Sequence, residues 1–267
     1  MSTNILAKIV AQKFVEVAER KKQISIGELE AMPLFAKEGN SLKLNLVDPN
    51  KTGIIAEFKR QSPSKGIINN TALVHDVTKA YSDFGASGIS VLTDTHFFGG
   101  SLDDLEIAVK NTTPVLRKEF IIDEFQIIEA KAYGASVILL IASCLTPAET
   151  KLLAGTAKAL GMEVLLEIHD KTEMGHISDE VDFVGVNNRS LKSFEVNIEH
   201  SLQLRSQLPK NKLSIAESGI YDMATFQLLK KEGFDGFLMG EYFMKQADPA
   251  KAFELFASQI KSSSNAI

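Results

Sequence analysis

Glu57 and Lys59 close the apolar run IIAEFK, Lys118 closes PVLRK, and Glu167 closes VLLE. Asn187 and Arg189 close VGVNNR, and Glu217 closes SIAE. Each lies at alternate spacing from a residue that begins the same face: Ile55, Leu116, Leu165, Gly185 and Ile215. In an extended chain, residues two apart point to one side. So the faces that start apolar end polar, with charges of both signs. Two lysines and several carboxylates in a partly dry mouth shift one another's pKa values. A lysine near another cation loses its proton more easily, and a carboxylate beside a lysine stays ionised. One pocket would then hold an acid and a base. The same residue types also permit a structural ion-pair network, and a lone lysine could form a Schiff base.

Two more endings point to phosphate. AESGI carries Ser218 and Gly219, and LMGE carries Gly240 and Glu241, each just before a helical stretch. Glycine lets backbone N–H groups approach an anion, and helix N-termini favour negative charge. One glycine after a strand makes only a turn; two on adjacent strands make phosphate the better reading. Glu241 would then turn away and leave only its backbone at the anion. The segment HFFGGS carries Phe97 and Phe98 beside Gly99 and Gly100, as core or as a lid that stacks on a flat substrate. His75, His96, His176 and His200 lack metal-ligand spacing. His169 shares the face of Glu167, either at the ligand or behind it. No cofactor or metal is expected.

What must position these residues is a repeated unit. Short apolar runs recur: GIIAEF, GISVLTD, TPVLRKEF, ASVILLIA, MEVLLEIHD, DFVGVNNR, KLSIAESG and DGFLMGE. Strands buried on both faces read in this near-continuous way. Between them lie amphipathic stretches with apolar residues three and four apart, among them ALVHDVTKAYSDFGA, DEFQIIEAKAYGA and MATFQLLKKEGFD. Gly85, Gly134, Gly161 and Gly233 stand where a left-handed helix stop belongs. Thr146, Pro147 and Glu149 form a helix-start box, and DPAKAFELF from Asp248 repeats the device. Strand and helix alternating eight times predict a (β/α)₈ barrel of the α/β class, whose site lies at the C-terminal ends of its strands. An open dinucleotide-binding sheet would want G-x-G-x-x-G after its first strand, which is missing here.

Residues 1–50 precede the eight units. NILAKIVAQKFVEVAERKK predicts an amphipathic helix, and SIGELEAMP a second one capped by Ser25 and Glu28. We read 1–267 as a single barrel domain, with 1–50 a helical extension packed across its bottom or beside its mouth. The net charge of −5 argues against a nucleic-acid partner. The single cysteine, Cys144, excludes an intrachain disulfide and reads as a small core residue. No apolar run reaches membrane-spanning length or forms a signal peptide, so a soluble, cytoplasmic, monomeric protein is expected.

IIAEFKRQSPSKG, SVLTD…FFGGS, PVLRKEFIID, EVLLEIHD, VGVNNRSL, AESGI and FLMGE, in this order, resemble indole-3-glycerol phosphate synthase. The likeness runs from about residue 5 to about residue 260 and takes in the N-terminal helices. That family closes the pyrrole ring of 1-(2-carboxyphenylamino)-1-deoxyribulose 5-phosphate, losing carbon dioxide and water, in tryptophan biosynthesis. The resemblance implies that Lys118 is the general acid on the sugar carbonyl and Glu167 the general base of later steps. It makes Glu57 and Lys59 the strand-one pair, with Lys59 near the substrate carboxylate or acid of the dehydration. Asn187, Arg189 and Glu217 would position substrate, and Ser62, Ser218, Gly219 and Gly240 would contact substrate or phosphate. A flat ring needs an apolar wall, for which Phe98, Phe120 and Leu139 are candidates. The chain has Gln61 where the family often has lysine, which leaves backbone groups or Lys65 to hold the phosphate.

Two other readings stand beside this one. Phosphoribosylanthranilate isomerase, a related barrel, needs a Cys/Asp pair on strands one and six, where this chain has Glu57 and Asn187. A non-catalytic binder of a phosphorylated ligand would not need Lys118 and Glu167 beside its phosphate cradle.

Overall fold

The apolar runs pair side by side into one parallel sheet that closes on itself. In the computed structural model, which describes residues 5–190 and 195–264, the strands are β1 (Ile54–Phe58), β2 (Gly88–Leu92), β3 (Val115–Lys118) and β4 (Val137–Ile141). They continue with β5 (Glu163–Ile168), β6 (Phe183–Asn187), β7 (Leu213–Glu217) and β8 (Gly236–Met239). Each pairs with the next in sequence, and β8 pairs with β1. Residues 1–4 of the expected extension, 265–267, and Leu191 at the end of the VNNRSL motif lie outside the described residues.

Period-two alternation divides the strands between two cores. Ile54, Ala56 and Phe58 of β1 face the helices, as do Ile138 and Leu140 of β4 and Val164, Leu166 and Ile168 of β5. Ile55, Leu139, Ile141, Leu165 and Ile215 fill the barrel interior. Both faces are buried, which is why the runs carry no polar alternation until their ends.

The helices are α1 (Ile5–Gln23), α2 (Ile26–Glu30), α3 (Leu42–Val47), α4 (Val74–Asp83), α5 (Thr95–Phe98) and α6 (Leu102–Ala108). They continue with α7 (Glu124–Ala132), α8 (Pro147–Ala159), α9 (Ile198–Arg205), α10 (Met223–Lys231), α11 (Glu241–Met244) and α12 (Pro249–Ser264). Local chemistry sets their ends. Ser25 with Glu28, and Thr146 with Glu149, form reciprocal capping boxes. Asp248 accepts from the Lys251 amide at the start of α12. Gly85, Gly134, Gly161 and Gly233 all adopt positive φ, between 71° and 91°, where other residues would be strained.

The N-terminal segment serves both ends of the barrel. On α1, Ile5, Leu6 and Ile9 pack with Phe97, Phe98 and Phe120 beside the mouth. The third helix, α3, was not legible beforehand: Leu42 and Leu46 plug the bottom of the interior core. Glu163 at the start of β5 accepts from Ser41 Oγ at 2.6 Å and the Leu42 amide at 2.7 Å, fixing that plug to the strand above it. Two one-turn helices, α5 and α11, fill the loops after β2 and β8, and Gln61–Ser62 pairs with Gly66–Ile67 as a small hairpin after β1.

Candidate active site

The strand ends meet over the interior core in one layer. Asn187 is in register with Glu217, Lys118 with Leu92, and Glu167 with Ile141. Above them opens a cavity of about 170 Å³.

Lys118 occupies its centre. Its Nζ donates to Glu217 Oε2 at 2.7 Å and to Glu167 Oε2 at 3.1 Å. Asn187 Nδ2 donates to the other oxygen of Glu167 at 3.0 Å, and Asn187 Oδ1 accepts from the Arg189 amide at 3.0 Å. His169 stands behind Glu167, with Nε2 3.4 Å from Glu167 Oε1. Just past β1, Lys59 Nζ is 2.6 Å from Glu57 Oε1. Gly185 makes room for Glu217: a Cβ at Gly185 would lie 2.0 Å from Glu217 Oε1.

Burial and charge set the protonation of this group. Burial opposes the charge on Lys118, but Glu217, Glu167 and Glu57 outweigh it and hold its pKa above the ordinary lysine value. For Glu167 burial also works against ionisation; Lys118, then His169 and the Asn187 hydrogen bond, overcome it and hold the carboxyl well below the usual range. Burial pushes Glu217 well above that range, with Lys118 pulling against the shift and Glu167 adding to it. Two carboxylates share one ammonium, and their environments drive their affinities for a proton apart. Burial, with Glu167 and Glu173 nearby, pushes the Cys144 thiol up to about 12, so it is no thiolate nucleophile at neutral pH.

One side of the cavity is apolar. Phe98 and Phe120 stand with ring centroids 5.9 Å apart, and Leu139, Leu92 and Ile141 continue the surface. Leu6 and Ile9 of α1 close it from outside the barrel. The far side, from β7, β8 and β1, is polar backbone. Ser218 has φ 65°, the one non-glycine residue with positive φ among those described, and Gly219 follows with φ 73°. Asn188 Nδ2 holds this bend by donating to Ser218 O at 2.6 Å. Held strain of this kind gathers where a loop grips a ligand. Gly240 precedes α11, and Ser62, Pro63 and Ser64 face it from the β1 loop.

Most of the sequence-derived candidates therefore border one cavity: the polar set around Lys118, the Phe98–Phe120–Leu139 wall, and Ser62, Ser218, Gly219, Gly240 and Glu241 at the far side. The Glu241 carboxylate accepts from Arg189 Nη2 at 3.0 Å, and the same nitrogen donates to Tyr221 OH at 2.8 Å; both partners border the cavity too. Neither Gln61 nor Lys65 borders the cavity: Lys65 is exposed, and Gln61 packs beside Gly99. The sequence reading missed Tyr221, Leu6, Ile9 and the buried Lys13. Lys13 had a signal, because it interrupts the Ile9–Lys13–Val17 stripe at helical spacing, all three being buried.

Comparisons with known proteins agree with this geometry. Residues 6–256 match the family model of indole-3-glycerol phosphate synthase. An indole-3-glycerol phosphate synthase of Bacteroides thetaiotaomicron is 42% identical over 259 residues, covering 97% of this chain and 99% of that one. One of Polynucleobacter asymbioticus is 40% identical over 266 residues, covering 96% and 100%. Among solved structures, KGPDC from Streptococcus mutans superposes with a TM-score of 0.59 at 12% identity, over 78% of this chain and 97% of that one. A thiamine phosphate pyrophosphorylase from Pyrococcus furiosus gives 0.57 at 14% identity, over 78% and 95%. These two likenesses speak for the barrel alone.

Proposed function

The chain belongs to the indole-3-glycerol phosphate synthase family, and on that premise we propose which residues of the cavity carry each part of the reaction. The activity is that of a carboxy-lyase of tryptophan biosynthesis: it closes the pyrrole ring of a phosphorylated substrate with loss of carbon dioxide and water.

Lys118 is the acid of ring closure. As the aromatic carbon attacks the sugar carbonyl, negative charge develops on the carbonyl oxygen. An alkoxide is more basic than an amine, so it takes a proton that the surrounding carboxylates otherwise keep on Lys118. Glu167, ionised and held by Asn187, is the base that later removes a ring proton. Lys59 lies just past the end of β1 beside Glu57, placed to receive the substrate carboxylate or to protonate the departing hydroxyl. Decarboxylation restores aromaticity and asks mainly for orientation. Phe98, Phe120 and Leu139 hold the flat ring. Amides around Ser218, Gly219 and Gly240 bind the phosphate, which supplies positioning energy remote from the reacting atoms. Arg189 and Ser62 complete the polar side. We read the chain as one barrel domain acting as a cytoplasmic monomer without nucleic-acid partners. Among the described residues no helix is long and apolar enough to cross a membrane.

The observation that carries this reading is Lys118 Nζ held between Glu217 and Glu167 inside a cavity with an apolar side and a glycine-lined side. The test is the fluorescence of indole-glycerol phosphate formed by the purified chain. Turnover is expected; no product from folded protein at saturating substrate would overturn it.

A further inference from the structure

Lys13 lies on α1, outside the barrel, yet it is only 3% exposed and its ammonium sits between two buried carboxylates. Nζ is 2.6 Å from Asp94 Oδ2 and 3.1 Å from Glu119 Oε1; Glu16, half-buried on the next turn of α1, is a third partner at 2.6 Å. Burial opposes the charge on Lys13, and Glu119 and Asp94 outweigh it, so the lysine stays cationic. The catalytic residues do not use this ion cluster.

Both carboxylates also hold backbone, and the backbone they hold carries the aromatic wall. The other oxygen of Asp94 caps α5, accepting from the Phe97 amide at 2.6 Å and the Phe98 amide at 3.0 Å. Glu119 Oε1 accepts from the Phe120 amide at 2.9 Å, and its Oε2 from Thr93 Oγ1 at 2.7 Å. One cation thus joins the loop bearing Phe98 to the strand end bearing Phe120. Without it, Asp94 would lose its cation and Glu119 would keep only Arg117, 3.9 Å from its Oε2, so the two buried carboxylates would repel and the elements carrying the two rings would be driven apart.

We propose that Lys13 is a positioning residue that sets the separation of Phe98 and Phe120 and so the enzyme's affinity for the aromatic end of its substrate. The proposal rests on the assignment of these two rings as the substrate's aromatic wall, and it goes further by placing a determinant of that wall on the N-terminal helix. The phosphate side is built mainly from β7 and β8, and its third part, the β1 loop, meets the α5 segment through Gln61 beside Gly99. Loss of Lys13 should therefore weaken the aromatic end of the ligand far more than the phosphate end.

The experiment measures KM for the substrate and inhibition constants for two probes, anthranilate and inorganic phosphate, in the wild-type chain, Lys13→Met, Lys13→Arg and Phe98→Ala. For Lys13→Met, KM and the anthranilate constant are expected to rise about tenfold, equivalent to about 1.4 kcal/mol, with a far smaller change in the phosphate constant. A residue that served only overall stability would lower the melting temperature and leave that ratio alone. Lys13→Arg keeps the charge and is expected to recover most of the anthranilate affinity. If Lys13→Met does not fold, Asp94→Asn carries the test: it can keep the cap and turns an amide toward Lys13, and the anthranilate constant is expected to rise about threefold. An unchanged anthranilate constant in whichever variant folds, or an equal rise for both probes, overturns the proposal. If Phe98→Ala leaves anthranilate inhibition unaltered, the wall assignment fails and takes the proposal with it. If Phe98→Ala weakens anthranilate while Lys13→Met does not, the wall stands and only the role of Lys13 falls.

Discussion

Lys118 and Glu217 are 99 residues apart in the chain, and Nζ of one meets Oε2 of the other at 2.7 Å. Both sit at the C-terminal end of a strand, β3 and β7, and both side chains point inward. The contact follows from closure of the barrel, which brings non-neighbouring strands to face each other across the interior. It also explains why a buried lysine here keeps its charge: the carboxylates supply what water would have supplied. Replacing Lys118 by Met removes the proton donor while the apolar stem still fills the space. Turnover should fall by about 10³-fold or more, with substrate Kd changed by less than about tenfold. Single-turnover product formation and equilibrium titration in the same preparation check it; a wild-type kcat would mean that Lys118 is not the acid.

Much of this was legible in the sequence, for a physical reason. Strands buried on both faces must be apolar throughout, so a Glu or Lys at the end of such a run, as at Glu57, Lys118 or Glu167, stands out against its background. Period two then gives the side it faces. The stops at Gly85 and Gly134 were visible because few residues tolerate those angles, whereas the positive φ of Ser218 was not, since serine does not signal it. What the sequence withheld was contact between elements. Lys13 could be read as one more cation on an amphipathic helix, since its partners Asp94 and Glu119 lie on other elements. The plug formed by Leu42 and Leu46 is a helix of only six residues, too short for its periodicity to register. Gln61 stands where the family often has a lysine, and the hairpin packs it beside Gly99, a contact with another loop that the sequence does not show.

Asn187 makes its contribution through Glu167. Its Nδ2 donates to Glu167 Oε1 while Lys118 engages Oε2, so the carboxylate is held from both sides. Asn187→Ala releases one side and removes a hydrogen bond that favours the ionised form. We expect kcat to drop about 10- to 100-fold. Its acidic limb should move to higher pH, because Glu167 now takes up a proton more readily. A kcat–pH profile of the variant beside the wild type measures both; an unshifted acidic limb would remove Asn187 from this role.

Glu217 gives a stability prediction whose sign follows from burial. Its folded pKa is raised from the ordinary value of 4.5, so the folded chain holds that proton more tightly than the unfolded chain. The resulting stabilisation is fully present below pH 4.5 and is lost as the pH rises through the folded value. Glu217→Gln has no proton to lose at this position. The melting temperature of the wild type, measured against that variant, should therefore decline between about pH 5 and pH 9, by roughly 4 °C or more. Thermal melts of both proteins across that range decide it, and a difference that grows with pH in favour of the wild type would contradict the shift.

Gly185 ties the fold to the chemistry most directly. It lies on the interior face of β6, where every other feature of a strand would favour a side chain. A methyl there would meet Glu217 Oε1 at 2.0 Å and Leu165 Cδ1 at 3.2 Å. Glu217 has little freedom to retreat, since it is 1% exposed and bound to Lys118. Gly185→Ala should therefore cost about 1–3 kcal/mol, seen as a melting temperature lower by roughly 2–10 °C. The displaced carboxylate would also draw Lys118 from its place between Glu217 and Glu167, so kcat should fall about tenfold or more in protein that is still folded. Circular dichroism and steady-state kinetics on one sample separate the two effects. Lost stability with full kcat would show that Glu217 can move without disturbing Lys118, and that the 2.7 Å contact is structural rather than part of the acid's placement.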